Sequence, residues 1–249
     1  MIEFIRGVAI LISVFVFGIG ALIISYILIP LVKLFEKDEK KRHIYFSFFV
    51  QKSWQIFVRF VTVIRVLKVN EHDFEKLKSI KNSIIVATHP TYLDVVILLS
   101  IIPKTTCFVA PRIVKNFFMG NIVKSVFLTS SDTVEEFEKQ AKEMYNEGFN
   151  ILIFPSGKRH ELNAKPKLKK GAALLAKELR CDIVPIKIVT DFEFLKRNVP
   201  IYKGGVKVAI YDINVFENIK TLEYLEKFKD DIVFKKELTS KISDVLFET

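Results

Sequence analysis

The chain has 249 residues, half of them hydrophobic and 23 of them Phe, with a formal net charge of +10 and a pI near 9.4. That length fits one large α/β domain with an attachment, or two small domains, and so apolar a composition excludes an ordinary cytosolic enzyme. The basic balance favours an anionic partner. No nucleic-acid motif or aromatic-basic RNA-binding signature accompanies it, so the composition points to an acidic membrane surface and not to nucleic acid.

Residues 7–29 carry no charged side chain, which is long enough for the roughly 20 helical residues that a bilayer core requires. A cleavable signal peptide is the competing reading, but its apolar region usually runs only about 7–15 residues and ends at a small-residue site. Here Ile-Leu-Ile-Pro30 follows instead, which favours a retained helix. Lys33, Lys37, Lys40, Lys41 and Arg42 follow the segment, against Arg6 alone before it. The positive-inside rule then puts the body of the protein on the cytoplasmic face.

A second apolar stretch, 44–69, is interrupted by Lys52, Arg59 and Arg65. It suits an interfacial helix with its cations at the headgroups; an ordinary core helix is the alternative. The expected organisation is therefore membrane-anchoring helices over 1–69 (span 7–29, interfacial 44–69) and an α/β domain over 70–249.

From residue 80 onward, short β-branched runs alternate with helix-like runs. Strands are expected at 83–88, 105–110, 125–129, 150–154, 183–189 and 206–211, and helices at 93–102, 114–123, 133–146 and 169–179. The tail 222–247 is charged and helix-periodic. This alternation predicts an α/β fold, a sheet flanked by helices. Cys107 and Cys181 lack CxxC spacing and read as buried small hydrophobes.

His89-Pro-Thr-Tyr-Leu-Asp94 leaves the first of those strands. An imidazole with a carboxylate five residues on can form an acid/base device if the intervening residues turn into a helix. Phe154-Pro-Ser156-Gly157-Lys158-Arg159 follows another strand. A glycine there exposes backbone N–H groups, and the Lys-Arg pair offers a fork for phosphate; a basic surface turn is the plain alternative. The run Lys165-Pro-Lys-Leu-Lys-Lys-Gly171 offers cations near a helix N-terminus, or else is a solvated turn. Pro185 within Val184-Pro-Ile186 suggests an edge strand or a bulge. His43, His72 and His160 are scattered and read as surface or turn residues, and no metal-ligand cluster is visible.

The order of these segments resembles the 1-acylglycerol-3-phosphate acyltransferases, the lysophospholipid or glycerolipid acyltransferase family. His89 and Asp94 match the first block, His-x4-Asp. Phe154, Pro155, Gly157 and Arg159 match the third, and Val184, Pro185 and Ile186 the fourth. The departures are specific: Ser156 stands where the family has Glu, and Lys158 where it has Thr. In the second block Ile113 and Gly120 fit, but Ala110 stands at the lysine and no arginine lies near Thr133.

The resemblance implies acyl transfer from a thioester, acyl-CoA or acyl carrier protein, to the hydroxyl of a lysophospholipid or related membrane lipid, with no metal or resident cofactor. His89 is then the general base, and Asp94 orients it. Ser156, Gly157, Lys158 and Arg159 form the substrate-binding loop, with backbone N–H groups near Gly157 expected to stabilise the oxyanion. A catalytically inactive lipid-binding protein of this fold, or a thioester or lipid hydrolase using the same pair, remain the alternatives.

Overall fold

The computed structural model describes residues 2–70, 72–129, 133–160, 164–191 and 207–248. Helix α1 (Ile2–Ile23) passes through one π-helical turn (Ile24–Leu28) into α2 (Ile29–Phe35). Ile29 N–H reaches back to Ile24 O, and the widened turn accommodates Pro30, which has no N–H to give. Helix α3 (Glu39–Val63) starts at Asp38, whose carboxylate accepts from Lys40 N at 2.9 Å and Lys41 N at 3.3 Å. Phe46, Val50, Trp54, Phe57 and Val61 recur every three or four residues and are buried, the stripe expected of a helix with one face on a core.

The α/β body follows: β1 (Leu67–Val69), α4 (Phe74–Ser79), β2 (Ile84–Ala87), α5 (Leu93–Ile101), β3 (Thr105–Val109), a 3-10 turn (Pro111–Lys115), α6 (Gly120–Val126), β4 (Leu128–Thr129), α7 (Val134–Asn146), β5 (Asn150–Ile153), α8 (Gly171–Leu179), β6 (Ile183–Thr190), β7 (Ala209–Val215), α9 (Thr221–Lys227) and α10 (Asp231–Phe247). The seven strands form one sheet in the order β1-β7-β6-β2-β5-β3-β4, parallel except between β6 and β7. Every residue of β2 and β5 is buried, as expected for parallel strands covered on both faces. One face packs on α3, α5 and α6 through Ile85, Ala87 and Leu152, and the other on α7, α8 and α10 through Ile84, Val86 and Ile151. Because β1 pairs with β7, residues 67–69 and the inner face of α3 share the core of the α/β layers.

Four expected elements differ. Residues 125–126 end α6, and only Leu128–Thr129 is strand. Ile122, Val123 and Val126 are buried together at helical spacing, so tertiary packing overrides their β-branched preference. The helix expected at 114–123 is broken, because Asn116 Oδ1 accepts from Phe118 N at 2.9 Å and Met119 N at 3.0 Å. Gly120 then passes so close to the 3-10 turn that a Cβ there would lie 2.4 Å from Val114 O. Finally, β6 is an interior strand, not an edge. Pro185 stands just beyond the β7 ladder, where it accepts from Phe216 N at 3.0 Å, and only the reciprocal bond is lost to its ring. Beyond it the register slips by one residue, from Ile186↔Val215 to the bridge Ile183↔Ile219. The strand expected at 206–211 is β7, shifted to Ala209–Val215; Val206 itself lies outside the described residues.

Candidate active site

Strands β2 and β5 are neighbours, but their crossovers leave to opposite faces. The chain after β2 enters α5 on the α3 side, and the chain after β5 enters α8 on the α10 side. The carboxyl ends of such a strand pair open a crevice, the usual ligand position in open α/β sheets. Both sequence motifs sit there: His89 follows β2, and Phe154–Arg159 follows β5.

Beyond β2, Thr88 is locked to β6. Its Oγ1 accepts from Ile188 N at 2.7 Å, and its backbone N–H donates to Ile186 O at 3.1 Å. Pro90 ends the extended run, and Thr91 opens α5. Thr91 Oγ1 accepts from Leu93 N at 3.1 Å, while Asp94 Oδ2 accepts from Thr91 N at 2.8 Å, a reciprocal pairing of the capping-box type. The same Oδ2 accepts from His89 Nδ1 at 2.7 Å, and Oδ1 accepts from the Thr91 hydroxyl at 2.7 Å. Asp94 is wholly buried, so these donors offset the cost of burying its charge. With Nδ1–H given to Asp94, His89 presents Nε2 as a base. Its side chain keeps 17% exposure, and its ring stacks on Phe154 with centroids 4.2 Å apart.

The β5 loop closes on this turn from the other side. His89 N–H donates to His160 Nε2 at 3.2 Å, and His160 N–H donates to His89 O at 3.1 Å. His160, read from sequence as a surface or turn residue, is therefore a half-buried clamp on the backbone of His89. Arg159 lies with its guanidinium carbon 3.4 Å from the ring centre of Tyr92, a cation–π contact tying the basic loop to the residue two before Asp94.

Gly157 adopts φ +67° and donates its N–H to Phe154 O at 2.9 Å. That N–H is engaged within the loop. The Lys169 stem crosses the same α-carbon, and an added Cβ would lie 2.9 Å from Lys169 Cε. Ser156 is buried and donates to Lys158 O at 2.8 Å, so its hydroxyl shapes the loop, while Lys158 is exposed. In the basic run, Lys165 pairs with Glu248 and lies 3.7 Å from Asp244 of α10. Next to the crevice, Thr88, His160, Lys165, Lys187 and Phe247 line a cavity of about 500 Å³.

Thr91, Tyr211 and His160 were not singled out from sequence. Thr91 carried a local signal, the Thr-x-x-Asp spacing of a capping box. Tyr211, on β7, carried none: its hydroxyl meets Thr91 Oγ1 from 120 residues away. Burial, then the charge of Asp94, pushes the Tyr211 phenol well above its usual range. Burial likewise raises the Cys107 thiol, which leaves it a packing residue. Among the described residues no group of three or more His, Cys, Asp or Glu is placed to hold a metal ion.

The Acyltransferase family model matches residues 68–189. The chain is 25% identical over 185 residues to an uncharacterized acyltransferase of Schizosaccharomyces pombe, covering 70% of this chain and 60% of that one. It is 24% identical over 174 residues to the human 1-acyl-sn-glycerol-3-phosphate acyltransferase beta, covering 66% of this chain and 60% of that one. The chain thus spans about 60% of the length of these two relatives. In fold it is similar to the crystal structure of the 1-acyl-sn-glycerophosphate acyltransferase of Thermotoga maritima, with a TM-score of 0.69 at 14% identity, covering 96% of this chain and 94% of that one.

Proposed function

Residues 68–189 match the Acyltransferase family model, and from that premise we propose that the protein is a membrane-bound O-acyltransferase moving a fatty acyl group from a thioester to the hydroxyl of a lysophospholipid or related lipid. The observation that carries this reading is the 2.7 Å bond from His89 Nδ1 to buried Asp94 at the strand-end crevice. His89 Nε2 takes the proton of the acceptor hydroxyl as that oxygen bonds to the thioester carbonyl carbon. Asp94 fixes the tautomer and stabilises the imidazolium. Collapse of the tetrahedral intermediate breaks the carbon–sulfur bond, and the departing thiolate takes the proton from His89. The nucleophile belongs to the substrate, so the scheme needs no enzyme serine, metal or resident cofactor. The thioester is carried by coenzyme A or by an acyl carrier protein.

Arg159 and Lys158 hold the acceptor's anionic headgroup. Arg159 is pre-positioned by Tyr92, and Gly157 gives the loop its turn. Ser156 contributes through loop shape, since its hydroxyl is spent on Lys158 O.

The lipid acceptor implies a membrane surface. Residues Glu3–Phe35 form a helix long and apolar enough to cross a bilayer. Two points along it are held to the body, however: Arg6 Nη1 donates to Arg65 O at 3.1 Å, and Ser25 Oγ donates to Phe118 O at 2.8 Å. Those anchor points lie about 30 Å apart along a helix. The helix therefore runs along the body and offers Phe4, Leu11, Phe15 and Ile19, all exposed, to one leaflet as an interfacial element. Lys33, Lys37, Lys40, Lys41 and Arg42 favour the anionic cytoplasmic leaflet, where thioester donors are made.

The test is direct: purified protein in anionic lipid vesicles is given labelled acyl-CoA or acyl carrier protein, with and without lysophosphatidate. Acylated lipid formed only with acceptor supports the reading. Free fatty acid alone would identify a hydrolase, and no thioester consumption with any acceptor would identify a lipid-binding protein.

A further inference from the structure

We infer that Tyr211 and Thr91 are positioning residues for the proposed reaction, forming a hydrogen-bond relay that runs from β7 through the head of α5 to Asp94 and so sets the basicity of His89. The inference rests on the His89–Asp94 reading above and extends it to Thr91, a variable position of the His-x4-Asp block, and to Tyr211, outside the matched blocks.

The donors can be assigned from valence. Asp94 as a carboxylate has no hydrogen to give, so the single hydroxyl hydrogen of Thr91 goes to Asp94 Oδ1 at 2.7 Å. Thr91 Oγ1 then has only acceptor capacity left. Leu93 N uses it at 3.1 Å, and the Tyr211 hydroxyl uses it from the other side. Tyr211 must therefore donate, and its strongly raised pKa keeps that proton in place at any working pH. Tyr211, Thr91 and Asp94 are all fully buried, so the relay is shielded from competing water and each bond polarises the next.

Among the described residues, the titratable and charged groups around His89 are Asp94 on α5, Arg159 and His160 in the loop after β5, and Tyr211 on β7. Lys165 and Lys187 line the cavity that His160 also borders. Of these, Tyr211 is the one coupled to Asp94 through a single hydroxyl. Losing its bond weakens the donation from Thr91 to Oδ1 and concentrates carboxylate charge towards His89. The imidazolium is then held more tightly, and the fraction of free base falls.

The experiment measures kcat, KM and the pH–rate profile of the full chain in vesicles for wild type, Tyr211→Phe, Thr91→Ser, Thr91→Val and the double variant, with thermal melts to establish folding. Tyr211→Phe is expected to lower the rate on the acid limb about threefold, leave the acceptor KM unchanged and move that limb upward by about half a pH unit. Thr91→Ser, which keeps the hydroxyl, should retain the wild-type profile. In the Thr91→Val background, Tyr211→Phe should change nothing further. An unchanged rate and profile in Tyr211→Phe, or a loss that adds independently to Thr91→Val, would overturn the relay. If Tyr211→Phe fails to fold, the contrast between Thr91→Ser and Thr91→Val decides: equal profiles in the two overturn it. His89→Ala runs in parallel. Full activity there would sink the dyad itself, whereas an inactive His89→Ala beside an unperturbed Tyr211→Phe would sink the relay alone.

Discussion

The Arg159 guanidinium lies 3.4 Å above the centre of the Tyr92 ring, so the basic loop after β5 is seated on the same turn that carries His89 and Asp94. Arg159→Ala should therefore raise the KM for a phosphate-bearing acceptor by about tenfold to a hundredfold and change kcat much less. Tyr92→Leu should do the same more weakly. Arg159→Lys should recover only part of the loss, because an ammonium keeps the charge but neither the planar stack nor the bidentate fork. Initial rates across a range of acceptor concentrations read this out, with a neutral acceptor as the control that loses nothing.

Asp94→Asn should cost about 10³–10⁴-fold in kcat. The amide can turn its NH2 towards Nδ1 and select the wrong imidazole tautomer, and the Thr91 donors then face a neutral partner. Turnover measured beside a thermal melt separates this effect from unfolding.

Gly157→Ala should lower stability by about 1–2 kcal/mol. Two causes act together: the left-handed φ of +67° and the Lys169 stem 2.9 Å from the new Cβ. Lys169→Ala in the same chain should return the steric part and leave the backbone part. Denaturant midpoints of the single and double variants show the partition.

How much was readable from sequence follows the range over which each feature is determined. The strands at the sheet centre were legible because burial on both faces writes an apolar run, as in Ile84–Ala87 and in residues 151–153 of β5. The His89–Asp94 pair was legible because six consecutive residues span both partners. Ser125 and Val126 were misread as strand because Val126 packs with Ile122 and Val123 at helical spacing whatever its β-branching. At position 185 the bulge alternative holds and the edge alternative does not, since the β6–β7 register slips by one residue across the proline, and sequence does not show where the partner strand ends. Tyr211 and His160 were missed for one reason: their meaning lies in contacts 120 and 71 residues distant, and no local pattern encodes a sheet neighbour.

Asp73 gives a pH-dependent prediction. Burial disfavours its charge, but bonds from Lys76 and Val215 N outweigh that and hold its carboxyl below the usual carboxylate range. A depressed folded-state pKa contributes stability above the unfolded value of about 3.9, and that contribution is lost as pH falls through the folded value. Asp73→Asn should therefore be less stable than wild type at pH 7, with the gap closing below about pH 3.9. Melts across pH test it; a gap constant with pH would assign the effect to shape alone.

Replacing Leu11, Phe15 and Ile19 by Ser should weaken vesicle flotation about tenfold or more while leaving the melt of the body unchanged, since each removes exposed apolar area from the outer face of α1. Retained flotation would place the lipid contact elsewhere.

The most direct measurement compares wild type with His89→Ala in vesicles holding lysophosphatidate and a labelled acyl thioester, following free thiol and acylated lipid together. In wild type the two should appear in equal amounts, and in folded His89→Ala both should fall to background. Acylated lipid formed by His89→Ala at the wild-type rate would contradict the assignment of His89 as the base.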